Sequence, residues 1–246
     1  MAQKIYIYGK HAVGEALTHA PNVVLKVHLA ANMDDAKLRA AIRAAGVPTE
    51  KLDPKRVSSM VEHNAPHQGV VALVSLGNVT VPFEHFVGTL NVTDDTLLIL
   101  LSEVQDPHNV GAIIRSAAAL GASAVLMPAQ KQSPITGAVI KASVGMAFHI
   151  PLVVMQNMQQ GIAELKKKGM RVYGLDTKGS PLSEEEFSGA TLFVLGNESQ
   201  GVAPAARALC DATLSIPMRA GVESLNVAAS AAVAFYAWNL SKSRKF

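Results

Sequence analysis

From Thr96 onward, short apolar runs alternate with stretches of helical periodicity, and this alternation limits the possible folds more than any other feature. Six runs have the length and composition of buried strands: residues 97–101, 124–127, 152–154, 171–175, 191–195 and 213–216. Four helical stretches lie between or after them: residues 110–120, 157–168, 204–209 and 226–240. Strands that alternate with helices are typical of a parallel sheet covered on both faces. The pattern therefore predicts an α/β domain built on a parallel sheet.

The N-terminal part of the chain predicts a second, smaller α/β unit. It contains two β-branched apolar runs and one stretch of helical spacing closed by a glycine: residues 23–29, 69–76, 34–45 and Gly46. Residues 77–95 mix Gly, Asn, Thr and Pro with isolated aromatic residues, a composition typical of a linker. We therefore predict a small domain at 1–76, a linker at 77–95 and the parallel-sheet domain at 96–246.

Composition places the chain among proteins with a substantial apolar core. Its 246 residues are 49% hydrophobic and 17% charged. No apolar run reaches the roughly 18 residues of a membrane span, and the first residues lack the basic flank and long apolar stretch of a signal peptide. We therefore expect a cytoplasmic protein. The net charge of +3 and the pI of about 9.0 are compatible with a polyanionic partner without specifying one.

Several common nucleotide-binding and metal-binding signatures are absent from the sequence. The first strand of the parallel domain is not followed by GxGxxG. Gly196 and Gly201 have the spacing of a phosphate-binding loop, but Val202-Ala203 stands where that loop needs Lys-Ser/Thr. No HExxH or Cys/His cluster occurs, so we predict no metal. Cys210 is the only cysteine, and its place at the end of an apolar helical stretch indicates a structural thiol.

Three polar loops at the carboxyl ends of predicted strands remain as candidates for chemistry, because open α/β sheets bind ligands at that edge. The first, residues 102–111, places Asn109 at a predicted helix N-cap, with Arg115 two turns further on and facing the same cleft. The second, residues 195–202, carries Gly-Asn-Glu. The third, residues 216–230, places Ser224 and Asn226 at the start of a helix. Taken singly, each loop also has an explanation without a site. In the first, Asn109 caps the helix and Arg115 points to solvent; the second is an ordinary strand-to-helix turn; and in the third, Ser224 and Asn226 cap the helix.

Together, the order and wording of these loops resemble the three signature motifs of the TrmH-type SPOUT RNA methyltransferases. The resemblance covers roughly residues 98–237. In addition, residues 7–13 (IYGKHAV) and 67–70 (HQGV) resemble the N-terminal RNA-binding domain of the RlmB subfamily, which methylates the ribose of a guanosine in 23S rRNA. The second motif here reads Gly-Asn-Glu, where other members can have Gly-Ala-Glu, which leaves the contacts of the Asn197 side chain open.

The resemblance implies a fold, a cofactor and a set of site residues. The parallel domain would be tied in a deep trefoil knot, bind S-adenosylmethionine without a metal, and form a homodimer that acts on 23S rRNA. The implied cofactor contacts are Leu195, Gly196, Asn197, Gly201, Ile216, Met218, Ser224 and Leu225. The implied catalytic residues are Asn109, Arg115, Glu198, Ser224 and Asn226. Lys10, His11 and Arg115 are the candidates for RNA contact.

Two questions about activity stay open at the level of sequence. Because guanidinium resists deprotonation, Arg115 is better suited to holding an RNA phosphate than to accepting a proton. Glu198 is the more natural proton acceptor, or it positions Arg115. The alternatives to 23S rRNA methylation are the same reaction on tRNA or another RNA, and a non-catalytic RNA-binding assembly factor.

The last helix carries the prediction of a dimer. Residues 226–238 (NVAASAAVAFYAW) are apolar nearly all round, so one face should remain for a partner after the helix packs on its own sheet. Phe235, Tyr236 and Trp238 are the expected bulky contacts. The alternative is a helix that is fully buried within a monomer.

Overall fold

The computed structural model describes residues 3–62, 65–197 and 200–243. Its N-terminal part is a four-stranded mixed sheet with two helices, in the order β1 (Lys4–Tyr8), α1 (Lys10–His19), β2 (Val24–Leu29), α2 (Ala36–Ala45), β3 (Thr49–Lys51) and β4 (Val70–Ser75). The strand order is β1-β4-β2-β3, with β4 antiparallel to both of its neighbours. The predicted β2, α2 and β4 are confirmed, and α2 ends at Gly46 with φ 64°, a left-handed conformation that favours glycine.

The C-terminal part is a seven-stranded, all-parallel sheet. Its elements are β5 (Thr80–Pro82), α3 (Phe83–Thr89), β6 (Leu97–Leu101), α4 (Pro107–Ala119), β7 (Ala124–Pro128), α5 (Gly137–Ala142), β8 (Leu152–Met155), α6 (Met158–Lys167), β9 (Arg171–Pro181), β10 (Thr191–Leu195), α7 (Pro204–Arg207), β11 (Ala212–Ser215) and α8 (Val227–Ser243). The strand order is β11-β9-β10-β6-β7-β8-β5. The predicted α/β class and parallel sheet are confirmed.

The stretch predicted as a linker contains regular structure. β5 pairs with β8 at the edge of the parallel sheet, and α3 packs against β8. Phe83 and Val87 of α3 are buried in the same apolar cluster as Leu98 and Val153. The proposed boundaries at 76/77 and 95/96 remain predictions, while residues 80–89 lie in or on the sheet.

The central strands divide their side chains between two cores. In β6, Leu97, Ile99 and Leu101 join the cluster that contains Phe235 of α8, whereas Leu98 and Leu100 join the cluster on the other face. All five are fully buried, as the period-2 alternation of a strand covered on both faces requires. Complete burial of one such side chain contributes about 1.5–3 kcal/mol relative to an exposed one.

The strand order determines which loops meet. β10 lies between β6 and β9, and β11 lies beside β9, so the loops that follow these four strands share one edge of the sheet. The trefoil knot remains a prediction, because strand order does not specify how the chain threads. Within the described residues, no helix is long and apolar enough to cross a membrane.

Candidate active site

A cavity of about 430 Å³ opens at this edge of the sheet, within the size range of small-molecule sites. Its walls come from the middle of β9, the loops after β10 and β11, and the first turn of α8. All eight residues predicted to contact the cofactor line it: Leu195, Gly196, Asn197, Gly201, Ile216, Met218, Ser224 and Leu225. The structure thus brings two of the three predicted loops to one cavity, while binding by these residues remains a prediction.

The loop after β10 folds tightly back on itself. Asn197 and Gly201 exchange two backbone hydrogen bonds of 2.8 and 2.9 Å, and Gly201 has φ +68°, which favours glycine. Gly196 is buried, and a Cβ added to it would overlap the backbone of Gly201 and Val202. The two glycines are therefore needed for the loop to close, and the loop forms one wall of the cavity.

The side chain of Asn197 connects the first and second loops. Its Nδ2 donates to the backbone oxygen of Glu103 at 3.0 Å, and its Oδ1 accepts from the backbone N–H of Gln200 at 3.2 Å. Asn197 thus has a structural role that an alanine at this position could not fill. Glu198, the predicted proton acceptor, lies outside the described residues.

The third loop meets the first through a pair of asparagines. Nδ2 of Asn226 donates to Oδ1 of Asn109 at 2.9 Å. Oδ1 of Asn226 accepts from the backbone N–H groups of Ala228 and Ala229 at 2.9 and 3.3 Å, so Asn226 also caps α8. The capping interpretation of Asn226 is therefore confirmed, and the cap orients its amide toward Asn109, while a catalytic role of Asn226 remains a prediction.

Asn109 itself is not an N-cap, and that prediction was wrong. Asp106 caps α4, with its Oδ1 accepting from the backbone N–H of His108 at 2.8 Å, and Pro107 is the first helical residue. Aspartate followed by proline is a stronger helix start than asparagine two residues later, because proline has the helical φ and needs no hydrogen-bond acceptor. Asn109 is consequently inside the first turn, where its side chain can reach Asn226.

Arg115 is separated from the rest of the predicted polar set. It is exposed on α4 and does not line the cavity of its own chain. Within the described residues, its guanidinium makes no hydrogen bond or ion pair. Of the predicted polar set, Ser224 lines the cavity of its own chain, and Asn226 is bonded to Asn109. Asn109, Asn226 and Arg115 do not line that cavity.

Asp176 and Arg207 line the cavity but were not predicted from the sequence. Their side chains form an ion pair, and Asp176 Oδ1 accepts from the backbone N–H of Lys178 at 3.0 Å. The usable signal was position, since Asp176 directly follows the predicted strand at 171–175. It was missed because β9 continues as an irregular strand to Pro181 and pairs there with β11 across a register shift.

Comparison with known proteins identifies the family. Residues 96–236, more than half of the chain, match the SpoU rRNA Methylase family. The chain belongs to this family. Residues 6–78 match the family described as RNA 2′-O ribose methyltransferase substrate binding. The resemblance to TrmH-type methyltransferases is thereby confirmed for both parts of the chain.

Relatives of known name align over nearly the whole SpoU chain. The 23S rRNA (guanosine-2′-O-)-methyltransferase RlmB of Acinetobacter baylyi is 33% identical over 243 residues, which cover 96% of this chain and 97% of that protein. The RlmB protein of Neisseria meningitidis serogroup B is 32% identical over 235 residues, covering 94% and 93%.

Solved structures share the fold of this SpoU protein over nearly its full length. A putative RNA methyltransferase of the TrmH family from Porphyromonas gingivalis has a TM-score of 0.73 at 26% identity, covering 96% of this chain and 89% of that one. The SpoU methyltransferase AviRb from Streptomyces viridochromogenes, crystallised in complex with AdoMet, has a TM-score of 0.81 at 24% identity, covering 98% and 91%. The two-sheet arrangement is therefore a shared one.

Two of the three predicted RNA contacts of the SpoU protein, Lys10 and His11, lie at the start of α1. His11 is exposed, whereas Lys10 forms an ion pair with Asp35, with 3.3 Å between Nζ and Oδ2. The backbone N–H of Leu38, followed by Lys10, holds the pKa of Asp35 below its usual value. Part of the positive charge of Lys10 is thus already balanced within the domain, and RNA contact by both residues remains a prediction.

The structure also bears on the interpretation of Cys210. Burial, followed by the charge of Asp211, raises the pKa of its thiol to about 11. The Sγ donates to the backbone oxygen of Ala206 at 3.4 Å. A thiol that stays protonated near neutral pH is a poor nucleophile, which supports the structural interpretation.

Proposed function

We propose that this protein transfers a methyl group from S-adenosylmethionine to the ribose 2′-hydroxyl of a guanosine in 23S rRNA. The observation that carries the proposal is the single cavity lined by all eight predicted cofactor residues, in a chain of the SpoU rRNA Methylase family. The substrate-binding match and the RlmB relatives support the choice of RNA. The proposed rRNA substrate supports the expectation of a cytoplasmic protein.

The residues of the cavity fit S-adenosylmethionine. Apolar walls suited to an adenine ring come from Leu195, Leu214, Ile216, Leu225 and Val227. Asp176 and Glu223 line the same cavity, and their carboxylates match the positive charges of the cofactor. Lys178 and Arg207 also line it, and their basic groups match the carboxylate of the cofactor. The compact loop has no room for a Cβ at Gly196, and the positive φ of Gly201 favours glycine there. No metal ligand is required by this set.

The polar residues beside the cavity have roles in positioning and proton transfer. Bound S-adenosylmethionine supplies an electrophilic methyl group. Arg115 binds an RNA phosphate and thereby orients the attacking hydroxyl, which its permanent charge suits. Ser224 lines the cavity, and Asn226, which is bonded to Asn109, lies in the chain between two lining residues, Leu225 and Val227. Glu198 accepts the proton or positions Arg115, and this assignment rests on the resemblance.

The N-terminal domain selects the RNA. Specific RNA recognition usually targets loops and bulges with unstacked bases, and a ribose inside a helix would be poorly accessible to a cofactor in this cavity. Lys10 and His11 at the first turn of α1 are the proposed contacts.

The test of this function is mass-spectrometric mapping of ribose methylation in 23S rRNA from cells with and without the protein. One guanosine should lose its methyl group without the protein and regain it when the unmodified chain is supplied. A copy with Arg115→Ala should fail to restore it. If the missing methyl group is in tRNA, the substrate is wrong. If no RNA changes, the non-catalytic alternative replaces the proposal.

We further propose that the chain forms a homodimer through one face of α8. Val233, Tyr236 and Leu240 share that face at helical spacing and are 42%, 60% and 37% exposed. The expectation that Phe235 and Trp238 would contact a partner was wrong, because both are buried in the core of their own chain. Because α8 packs against α4, the same interface would bring the exposed Arg115 of one chain toward the cavity of its partner. That cavity is not lined by the Arg115 of its own chain.

Placing a charge on this face should separate the dimer. Val233→Glu combined with Tyr236→Glu would bury two carboxylates without partners, which the interface cannot tolerate. In sedimentation velocity, we expect the unmodified chain to be a dimer and the double variant a monomer or an unfolded chain. Leu25→Glu is the matched control, because Leu25 is a similarly exposed apolar residue of the N-terminal domain, and it should remain dimeric. An unchanged dimer in the double variant would place the interface elsewhere.

A further inference from the structure

Three potential metal ligands meet where the N-terminal domain contacts the methyltransferase domain. Glu15 and His19 lie one turn apart on α1, and His149 directly follows the short 3₁₀ turn Met146–Phe148 of the other domain. Oε2 of Glu15 is 2.6 Å from Nε2 of His149 and 3.4 Å from Nε2 of His19. One ligand atom from each of the three residues lies within 4.8 Å of the others.

The geometry points to a site for a divalent transition-metal ion of the zinc class that links the two domains. Imidazole nitrogen and carboxylate oxygen are both ligands of Zn²⁺, and two histidines with one carboxylate leave a fourth position for water. Magnesium prefers an all-oxygen octahedral set and should bind poorly here.

The spacing of the ligand atoms suits a tetrahedral ion. Ligands about 2.1 Å from zinc at tetrahedral angles are about 3.4 Å apart. The Glu15–His19 pair already has this separation. The Glu15–His149 pair is closer at 2.6 Å, the length of a direct hydrogen bond, so it must open by under ~1 Å for an ion to enter.

The surroundings allow that adjustment. The His19 and His149 rings are in contact, with centroids 3.9 Å apart, and they must separate to direct their nitrogens at one ion. A cavity beside His149, lined by residues of both domains, gives its ring room to move. The three side chains are also partly exposed, so an ion and a completing water can reach them from solvent.

Close packing at the domain junction holds the two halves of the site together. A Cβ added to Gly145 would lie 2.6 Å from Cβ of Glu15, and one added to Gly137 would overlap the backbone oxygen of Tyr6. Both glycines belong to the methyltransferase domain, and their lack of a side chain lets α1 and β1 approach it closely. Glu15 is thereby held against the segment that carries His149.

The consequence of metal binding would be mechanical rather than chemical. None of the three residues lines the cofactor cavity. An ion that binds only when α1 and the His149 segment are docked stabilises the docked arrangement. If the proposed function is right, the metal fixes the RNA-binding domain relative to the site that acts on the RNA.

The test is calorimetry of the full-length, tag-free chain with Zn²⁺ alone, in parallel with thermal melting. We expect one zinc per chain and a melting temperature that rises with zinc concentration. Glu15→Gln, His19→Ala and His149→Ala should each weaken binding by about tenfold or more and abolish the melting shift. His85→Ala, which removes an exposed histidine from α3, should behave as the unmodified chain does.

Three outcomes would overturn the inference. One is the lack of saturable zinc binding, which would leave the cluster as a hydrogen-bonded contact only. Another is a His149→Ala chain that binds zinc as tightly as the unmodified chain, because the ion would then not link the domains. The third is equal binding of Mg²⁺. A cooperative thermal melt without zinc confirms that each variant is folded, and no arm uses S-adenosylmethionine or methyl transfer, so the result is independent of the proposed function.

Discussion

Replacement of Arg115 by alanine is expected to reduce methyl transfer by about 10²–10³-fold while leaving S-adenosylmethionine affinity unchanged. The reduction is the usual cost of removing one preorganised contact to the reacting groups. Cofactor affinity should be spared because Arg115 is exposed on α4 and does not line the cavity of its own chain. The measurement is single-turnover methylation of purified 23S rRNA, with calorimetry for the cofactor.

Arg171→Ala is the matched control for this experiment. Arg171 begins β9, at the opposite edge of the sheet from the cavity, where it pairs with Glu185 and lies over the Tyr173 ring. This variant loses the same charge, so it separates a specific contact from general attraction to RNA. If both arginine variants lose turnover equally, or if Arg115→Ala loses cofactor affinity instead, Arg115 has been assigned wrongly.

The position of Arg115 also permits a test of a site shared between chains. A chain with Arg115→Ala keeps its cavity, whereas a chain with Gly196→Ala keeps its arginine. After subunit exchange between equal amounts of the two chains, half of the dimers contain one chain of each kind. In each mixed dimer, one of the two sites combines an intact cavity with Arg115 from the other chain. About a quarter of the wild-type activity should return. A mixture as inactive as its parents, with exchange verified, would show that Arg115 serves its own chain.

Gly196→Ala is expected to abolish detectable S-adenosylmethionine binding. The added Cβ would overlap the backbone of Gly201 and Val202, and backbone can move only if the hydrogen-bonded pair Asn197–Gly201 opens. Because Gly196 and Gly201 form one wall of the cavity, opening the loop changes the shape of the cavity itself. Overpacking of this kind costs about 1–3 kcal/mol of the free energy of unfolding.

The control is Gly88→Ala, and thermal melting accompanies the binding measurement. Gly88 lies in α3 with open space around its Cα, so alanine there should be neutral or stabilising by up to about 1 kcal/mol. We expect the Gly196 variant to bind no cofactor yet melt cooperatively at a lower temperature. Cofactor binding at unchanged affinity would mean that the loop does not form the wall of the binding site.

Local patterns in the sequence were sufficient for most elements of the parallel domain. The four leucines and one isoleucine of β6 and the glycine that ends α2 were recognised because burial on both faces and left-handed φ values each require particular residue types. Weakly patterned elements were missed. The α5 helix has six residues and β5 has three, which is too short for a period to show.

The site was predictable only as three separate loops. Their positions at strand ends and their resemblance to a known family named the residues, and eight of these line one cavity. The sequence did not reveal that Asn226 bonds to Asn109, 117 positions away. Nor did it separate Arg115 from the cavity, since helical spacing predicts a face but not what that face meets.

The sequence by itself determined the α/β class, the parallel strands and the identity of the residues available for chemistry, because these follow from short-range periodicity and residue type. Only the tertiary structure decided which of them meet. Sheet order places β10 between β6 and β9 and thereby brings three distant loops to one edge. Domain docking brings His149 to Glu15, 134 positions away. Such contacts depend on the packing of whole elements, and the free energy that selects one packing is distributed over many buried side chains rather than carried by any local pattern.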